Sequence, residues 1–353
     1  MKRFFSLIAE LVILGILIIL VLSVLSPFLP VIFQLLLLGL IILLIWALLS
    51  PFESLGWWAG WFGRSANQDT IDAALKQTER TEINHYVVYL SGIGAISGDF
   101  LYPEEIAFLD AVAARTPHVA IVKDVFPYAM NNNGLTGQRF FTWLWRWIKK
   151  LNMEGRKLLM NLINIRNLFQ VAVSADRRYG PIYNYGTAEV IRDGLLRQGY
   201  HIGSGIPVTL IGYSGGGQIS LGAAAYLQPM LKAPLQIISM GGVMADDPGI
   251  EQVDHLYHLY GTKDPVQKLG AIAYAGRWPL LPYSPWNQAK AEGKITMNAV
   301  GPITHNDPGG YFEAKEGGDV PNYQAHIVDV VTSLIEQQTK LTLPGQQASK
   351  NLE

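Results

Sequence analysis

An apolar run of strand length, Ile206-Pro207-Val208-Thr209-Leu210-Ile211, drives straight into Gly212-Tyr213-Ser214-Gly215-Gly216, and no other feature constrains the fold as tightly. The small-residue stretch that follows, from Gly217 to Tyr226, has the composition of a helix packed close against a sheet. Strand, tight turn and helix in that order read as a nucleophile elbow, which lifts Ser214 Oγ at the carboxyl edge of a sheet. Glycine is wanted two residues either side of the serine because bulk there would strike the neighbouring strand and helix at a strained backbone angle. The first N–H groups of the helix would point at whatever sits on Ser214. The chain holds 35 glycines in 353 residues, so the pentapeptide alone is a weak signal, and a Gly-rich turn that binds phosphate or merely packs is the alternative. Its setting carries the reading, and no dinucleotide fingerprint or Gly-Lys-Ser/Thr phosphate loop competes with it.

The first fifth of the chain differs from the rest. Residues 7–25 and 31–49 are nearly uninterrupted apolar runs, with Glu10 the only charge in either. As helices each would span about 28 Å, close to the hydrocarbon thickness of a bilayer. Ser26-Pro27-Phe28-Leu29-Pro30 leaves room only for a hairpin, so two transmembrane helices are expected, and the immediate second span argues against a cleaved signal peptide. Lys2 and Arg3 flank one end and Arg64 the other, which by the positive-inside rule places both ends, and the domain beyond them, in the cytoplasm. Trp57, Trp58, Trp61 and Phe62 have the character of an interfacial segment, completing an expected membrane anchor over 1–64.

A net charge of −1 gives no electrostatic footprint for nucleic acid, and the absence of cysteine excludes disulfides, thiol nucleophiles and thiolate metal sites. No cofactor or metal is expected. From His85 onward strand-like and helix-like segments alternate. Strands are predicted over 86–90, 119–125, 206–211, 235–240, 255–260 and 295–300, and helices over 103–115, 187–198, after Ser214, and over 322–338. Such alternation calls for an α/β domain, here 65–340, with a mostly parallel sheet and helices on both faces. A tail over 341–353 is expected to be loose.

Residues 126–185 interrupt the alternation at a length that suits an inserted helical cap. This block carries a net charge of +7, and Phe140, Phe141, Trp143, Trp145 and Trp147 precede or interleave its first basic cluster. The mix suits either an anionic membrane surface or a cap with a solvated basic face, and the two are compatible.

Ser214 needs a base, and the base needs a carboxylate. Of seven histidines only His305 follows both the serine and an acid at a strand end while standing in a Gly/Pro-rich loop past the final strand, since His326 falls in the last helix; Asp264, just past a strand, is the matching acid. With these residues in place the chain resembles the α/β-hydrolase fold superfamily over about 83–338, in the order Ser, Asp, His. Gly212-Tyr213-Ser214-Gly215-Gly216 matches the elbow. Gly261-Thr262-Lys263-Asp264-Pro265 resembles the acid loop and Gly301-Pro302-Ile303-Thr304-His305 the histidine loop. Ser91-Gly92-Ile93-Gly94 sits where the family keeps a His-Gly-x-Gly turn, with serine for the histidine. The resemblance implies an oxyanion hole from the backbone N–H groups of Gly215 and Ile93, and a Ser214–His305–Asp264 triad that forms an acyl-enzyme.

The function expected from these features is that of a membrane-anchored serine hydrolase, esterase- or lipase-like, whose partners are the bilayer and a lipid or other hydrophobic ester. A non-catalytic membrane-anchored scaffold of the same fold, or an acyltransferase or thioesterase using the same three residues, are the alternatives.

Overall fold

The computed structural model describes residues 83–130, 132, 160–306, 308–314 and 322–350, together with 30, 31, 33, 34, 37–41 and 45. The chain divides into two compact units, Met1–Leu49 and Ser50–Glu353. In the first unit the described residues are helical and exposed, with Phe33 67% and Leu38 53% accessible. The expected span 7–25, the aromatic segment at 57–62 and Arg64 lie outside the described residues. Among the described residues no helix is long and apolar enough to cross a membrane.

The second unit is an α/β domain. Six strands, β1 (His85–Leu90), β2 (Val119–Val122), β3 (Val208–Tyr213), β4 (Leu235–Met240), β5 (His255–Tyr260) and β6 (Ile295–Ala299), form one sheet. Their order is β2-β1-β3-β4-β5-β6, and every neighbouring pair is parallel. β1 and β4 are buried at every position, as expected of strands covered on both faces rather than one. Side chains alternate between two cores. Val87 and Tyr89 of β1, with Ile211, Ile238 and Met240, pack against Phe108, Leu109 and Val112 of α1 (Pro103–Arg115) and Ile327, Val328 and Val331 of α7 (Tyr323–Lys350). On their other face α2 (Met160–Ala175) and α3 (Gly180–Arg197) pack on each other and on α4 (Gly215–Leu231). Two short helices, α5 (Lys268–Ala273) and α6 (Pro285–Ala291), lie between β5 and β6.

The expected helix starting at 187 begins at Gly180, seven residues earlier and inside the block expected as a cap. Pro181 at its first turn suits a helix start, and Tyr183, Asn184 and Gly186 are buried, so this turn belongs to the sheet-covering layer. Residues 133–159 of the expected cap lie outside the described residues. At the other end, the expected loose tail is helical as far as Lys350. Beyond the expected end at 338 the hydroxyls of Thr339 and Thr342 fold back onto the carbonyls of Ile335 and Gln338 at 2.9 Å, so each polar side chain finds a partner on its own helix.

Strand order fixes where a site can form. The chain moves outward from β1 to β2, then returns to add β3 on the other side of β1. At that reversal the loops after β1 and β3 part to opposite faces and leave a crevice at the carboxyl edge.

Candidate active site

Ser214 stands at this reversal point, between the last residue of β3 and the first of α4, with φ 53° and ψ −118°. A non-glycine residue at positive φ is strained, and the surroundings hold it there. A Cβ on Gly212 would lie 2.6 Å from the Gly216 carbonyl oxygen, and one on Gly216 would run into the Leu90 carbonyl of β1. Those two glycines let the turn close against its neighbouring strand. Ser214 N–H donates to Met240 O of β4 at 3.0 Å, pinning the turn from the other side.

His305 and Asp264 arrive from the loops after β6 and β5. His305 Nε2 is 2.9 Å from Ser214 Oγ, and its Nδ1 is 2.8 Å from Asp264 Oδ2. Ser214 and His305 are buried but for 6% and 8% of their surface, and Asp264 is buried completely. Burial alone would raise the Asp264 carboxyl. Hydrogen bonds from His305 and Tyr311, the charge of the imidazole and the Val266 N–H outweigh it and hold the group below its ordinary value. Asp264 therefore stays ionised beside the ring, a geometry that fixes the tautomer with Nε2 facing the serine.

Two tyrosines that no local sequence pattern singles out complete the setting. Tyr311 donates its hydroxyl to Asp264 Oδ2 at 2.8 Å and accepts the Gly261 N–H at 2.8 Å, so one phenol ties the acid to the end of its own strand. Tyr213, the elbow residue before the serine, stacks on the His305 ring with centroids 5.5 Å apart and planes 19° apart. Its hydroxyl donates to the His305 carbonyl at 2.6 Å, locking the histidine loop from below the ring. Only the identity of Tyr213 within the elbow was visible beforehand. Tyr311 lies in a loop whose return to Asp264 no local pattern announces.

The remaining two expected site residues, Gly215 and Ile93, adjoin one another. A Cβ on Gly215 would lie 2.7 Å from Ile93 Cγ2. Gly215 opens α4, where first-turn N–H groups have no partner within the helix. The turn bearing Ile93 is held by Asn167 of α2, whose side-chain amide donates to the carbonyls of Ile93 and Ala95 at 2.7 and 2.8 Å. Tyr128 donates to Ser91 O at 2.9 Å from the same side.

A cleft of about 550 Å³ opens over Ser214 and His305. Ile93, Val266, Phe312 and the rings of Tyr102 and Tyr213 give it an apolar wall. Glu105, also in the lining, is buried; it accepts Tyr89 Oη at 2.6 Å and the Tyr102 N–H at 2.9 Å. Burial raises its carboxyl, against the opposing pull of those two bonds. Among the described residues no group of three or more His, Cys, Asp or Glu side chains is placed to hold a metal ion.

No known protein family matches the chain by sequence, and no curated protein does. Among solved structures the chain is similar to "the putative cell surface hydrolase from Lactobacillus plantarum WCFS1", with 11% identity, a TM-score of 0.33, and coverage of 74% of this chain and 99% of that one.

Proposed function

We propose that this protein is a serine hydrolase of the α/β-hydrolase fold that cleaves acyl esters, and that it does so anchored at a membrane on a lipid or other hydrophobic ester. One observation carries the chemistry: an unbroken hydrogen-bonded line from Ser214 Oγ through His305 to the buried Asp264, starting at a serine held at positive φ.

His305 takes the Ser214 proton as Oγ attacks the ester carbonyl, and Asp264 stabilises the imidazolium that results. The tetrahedral oxyanion lies against the N–H groups of Gly215 and Ile93, each worth about 3 kcal/mol of barrier. His305 then protonates the departing alcohol, leaving an acyl-Ser214. A water, deprotonated by the same ring, attacks the acyl carbon and restores the serine. The apolar wall of Ile93, Val266 and Phe312 favours a hydrophobic acyl chain. The two apolar runs at 7–25 and 31–49 support membrane anchoring, and Lys2, Arg3 and Arg64 support a cytoplasmic domain.

A fluorophosphonate probe should label the wild-type chain at Ser214 and leave Ser214→Ala unlabelled, with ester turnover in the variant down roughly 10⁴- to 10⁶-fold. A folded wild-type sample that never labels and hydrolyses no ester overturns the proposal.

A further inference from the structure

Between Asp264 and Glu292 the chain contains no acidic residue at all, while Lys268, Arg277 and Lys290 fall within that stretch and Lys263 just before it. The same stretch concentrates exposed apolar surface. Leu269, Ile272, Trp278, Leu280, Leu281 and Tyr283 are all exposed, Leu280 by 84% and Tyr283 by 87%. Six large apolar side chains within fifteen residues are not the scattered exposure that a soluble surface tolerates.

These side chains are presented by a rigid scaffold rather than a loose loop. Asn287 Nδ2 donates to the carbonyls of Gly276, Trp278 and Leu281 at 3.2, 2.8 and 2.9 Å. Trp278 Nε1 donates to Ala271 O at 2.9 Å, joining α5 to the loop beyond it. Successive turns close from Leu281 N–H to Trp278 O and from Ser284 N–H to Leu281 O, both at 3.1 Å. Arg277 plants the base of the loop: its guanidinium lies 3.9 Å from the Trp286 ring centre, and it donates to Met244 O at 3.0 Å. Hydrogen bonds invested in holding leucine, tryptophan and tyrosine outward make sense where something apolar receives them.

Charge and position name the receiver. Lys263, Lys268 and Lys290 are exposed, so along the chain the apolar side chains are bracketed by cations, and Asp246, whose carboxylate packs beside Gly276, is engaged by Arg177 at 2.7 Å. Tryptophan and tyrosine beside leucine, with lysines alongside, are the side chains that seat at the headgroup boundary of an anionic bilayer. The segment follows the β5 loop that carries Asp264 and Val266, so it leaves the sheet at the edge where the cleft opens.

We propose that residues 268–283 form a membrane-docking surface: Leu269, Ile272, Trp278, Leu280, Leu281 and Tyr283 enter the headgroup–acyl boundary, and Lys263, Lys268 and Lys290 meet lipid phosphates. This docking would turn the mouth of the cleft toward the bilayer, and it rests on the membrane-hydrolase reading only in taking a bilayer to be at hand.

The chain has no cysteine, so Leu280→Cys creates a single labelling site, and Ile202→Cys supplies a control that is 50% exposed on the loop entering β3, at the opposite edge of the sheet. Full-length protein carrying an NBD fluorophore at either position is reconstituted into nanodiscs with and without phosphatidylserine and with doxyl-labelled lipids. The expected result is a blue-shifted emission at 280 that doxyl lipids quench, more strongly in the anionic discs, and a water-like, unquenched emission at 202. Water-like emission at 280 overturns the proposal. A shielded fluorophore that doxyl lipids do not quench, with cross-links between copies, overturns it in favour of a protein partner. Fluorophosphonate labelling of the same discs separates the two readings. Labelled Ser214 with water-like emission at 280 rejects docking alone, and quenching at 280 without labelling supports docking while rejecting the hydrolase.

Discussion

Asp264 Oδ2 serves two donors at once, and the second of them, Tyr311, bears on what each residue of the line contributes. Burial, and then the charge of Asp264, push the Tyr311 phenol up, so it remains a donor at any working pH. Removing that hydroxyl in Tyr311→Phe leaves the buried Gly261 N–H without its acceptor and takes one donor from the carboxylate. The first loss should lower stability by about 1–3 kcal/mol. The second should lower kcat about tenfold at an unchanged KM, because the hydroxyl that is lost is engaged by Asp264 and Gly261, while the ring that lines the cleft is kept. Thermal unfolding and ester kinetics on the same sample separate the effects; equal kcat in the variant would make Tyr311 structural only. The three residues Ser214, Asp264 and His305 were legible because each stands at a strand end in an order that chain direction reveals. Tyr311 was not, since its partner lies 47 positions earlier and only the folded loops bring the two together.

Among the elements, α1, β4 and β5 coincide with the segments expected from apolar spacing, Pro103–Arg115, Leu235–Met240 and His255–Tyr260. Each is long enough, or apolar enough, for its period to show. α5 and α6, of six and seven residues, went unforeseen because fewer than two turns carry no period to read. The first turn of α3 was hidden for another reason: its tyrosines and glycines suit a cap as well as a helix, and only packing against α4 decides. At the junction of β1, β3 and α4 the tightest approach of the two elbow glycines is that of Gly216 to the Leu90 carbonyl. Gly216→Ala should therefore destabilise by about 3 kcal/mol or more, as backbone has to move. Gly293→Ala, at φ +76° with nothing within 4 Å, should cost only about 1–2 kcal/mol of backbone strain. Denaturant midpoints for the two variants test this; equal losses would mean that the elbow has slack.

At the scale of the whole molecule, two histidines make the domain sensitive to acid. His85 at the start of β1 has its ring nitrogens 2.9 Å from Thr339 Oγ1 of α7 and 2.7 Å from Thr209 Oγ1 of β3, tying the last helix to the sheet. His258 on β5 is 3.1 Å from Ser239 Oγ of β4. Burial lowers His85 to about 3; burial first, and then the charge of Arg277, lower His258 to about 4. Both rings are neutral when folded, whereas the unfolded chain protonates them near the ordinary value of about 6.5. Between that value and the folded ones the unfolded state binds more protons, so stability rises with pH across the window and falls as acid is added. Each ring is worth on the order of 3 kcal/mol or more over its window, a large part of a typical folding free energy of about 5–15 kcal/mol. Asp264 adds to this loss only at its acid end, because its lowered carboxyl gives up its contribution below the ordinary carboxylate value. Glu105 and Asp247, both raised chiefly by burial, act in the opposite sense, favouring the folded state as acid protonates them. Their opposing effect begins only where the folded carboxyls start to take up protons, so the histidines should set the slope in the upper part of the window, from about pH 6.5 toward 5. Unfolding free energy measured by denaturant titration should fall steadily over that interval in the wild type. His258→Asn, which keeps a polar side chain without the titrating ring, should lower stability at neutral pH yet flatten the slope. A slope unchanged by the substitution would show that His258 takes up its proton at the same pH in the folded and unfolded chain, and so does not cause the acid sensitivity.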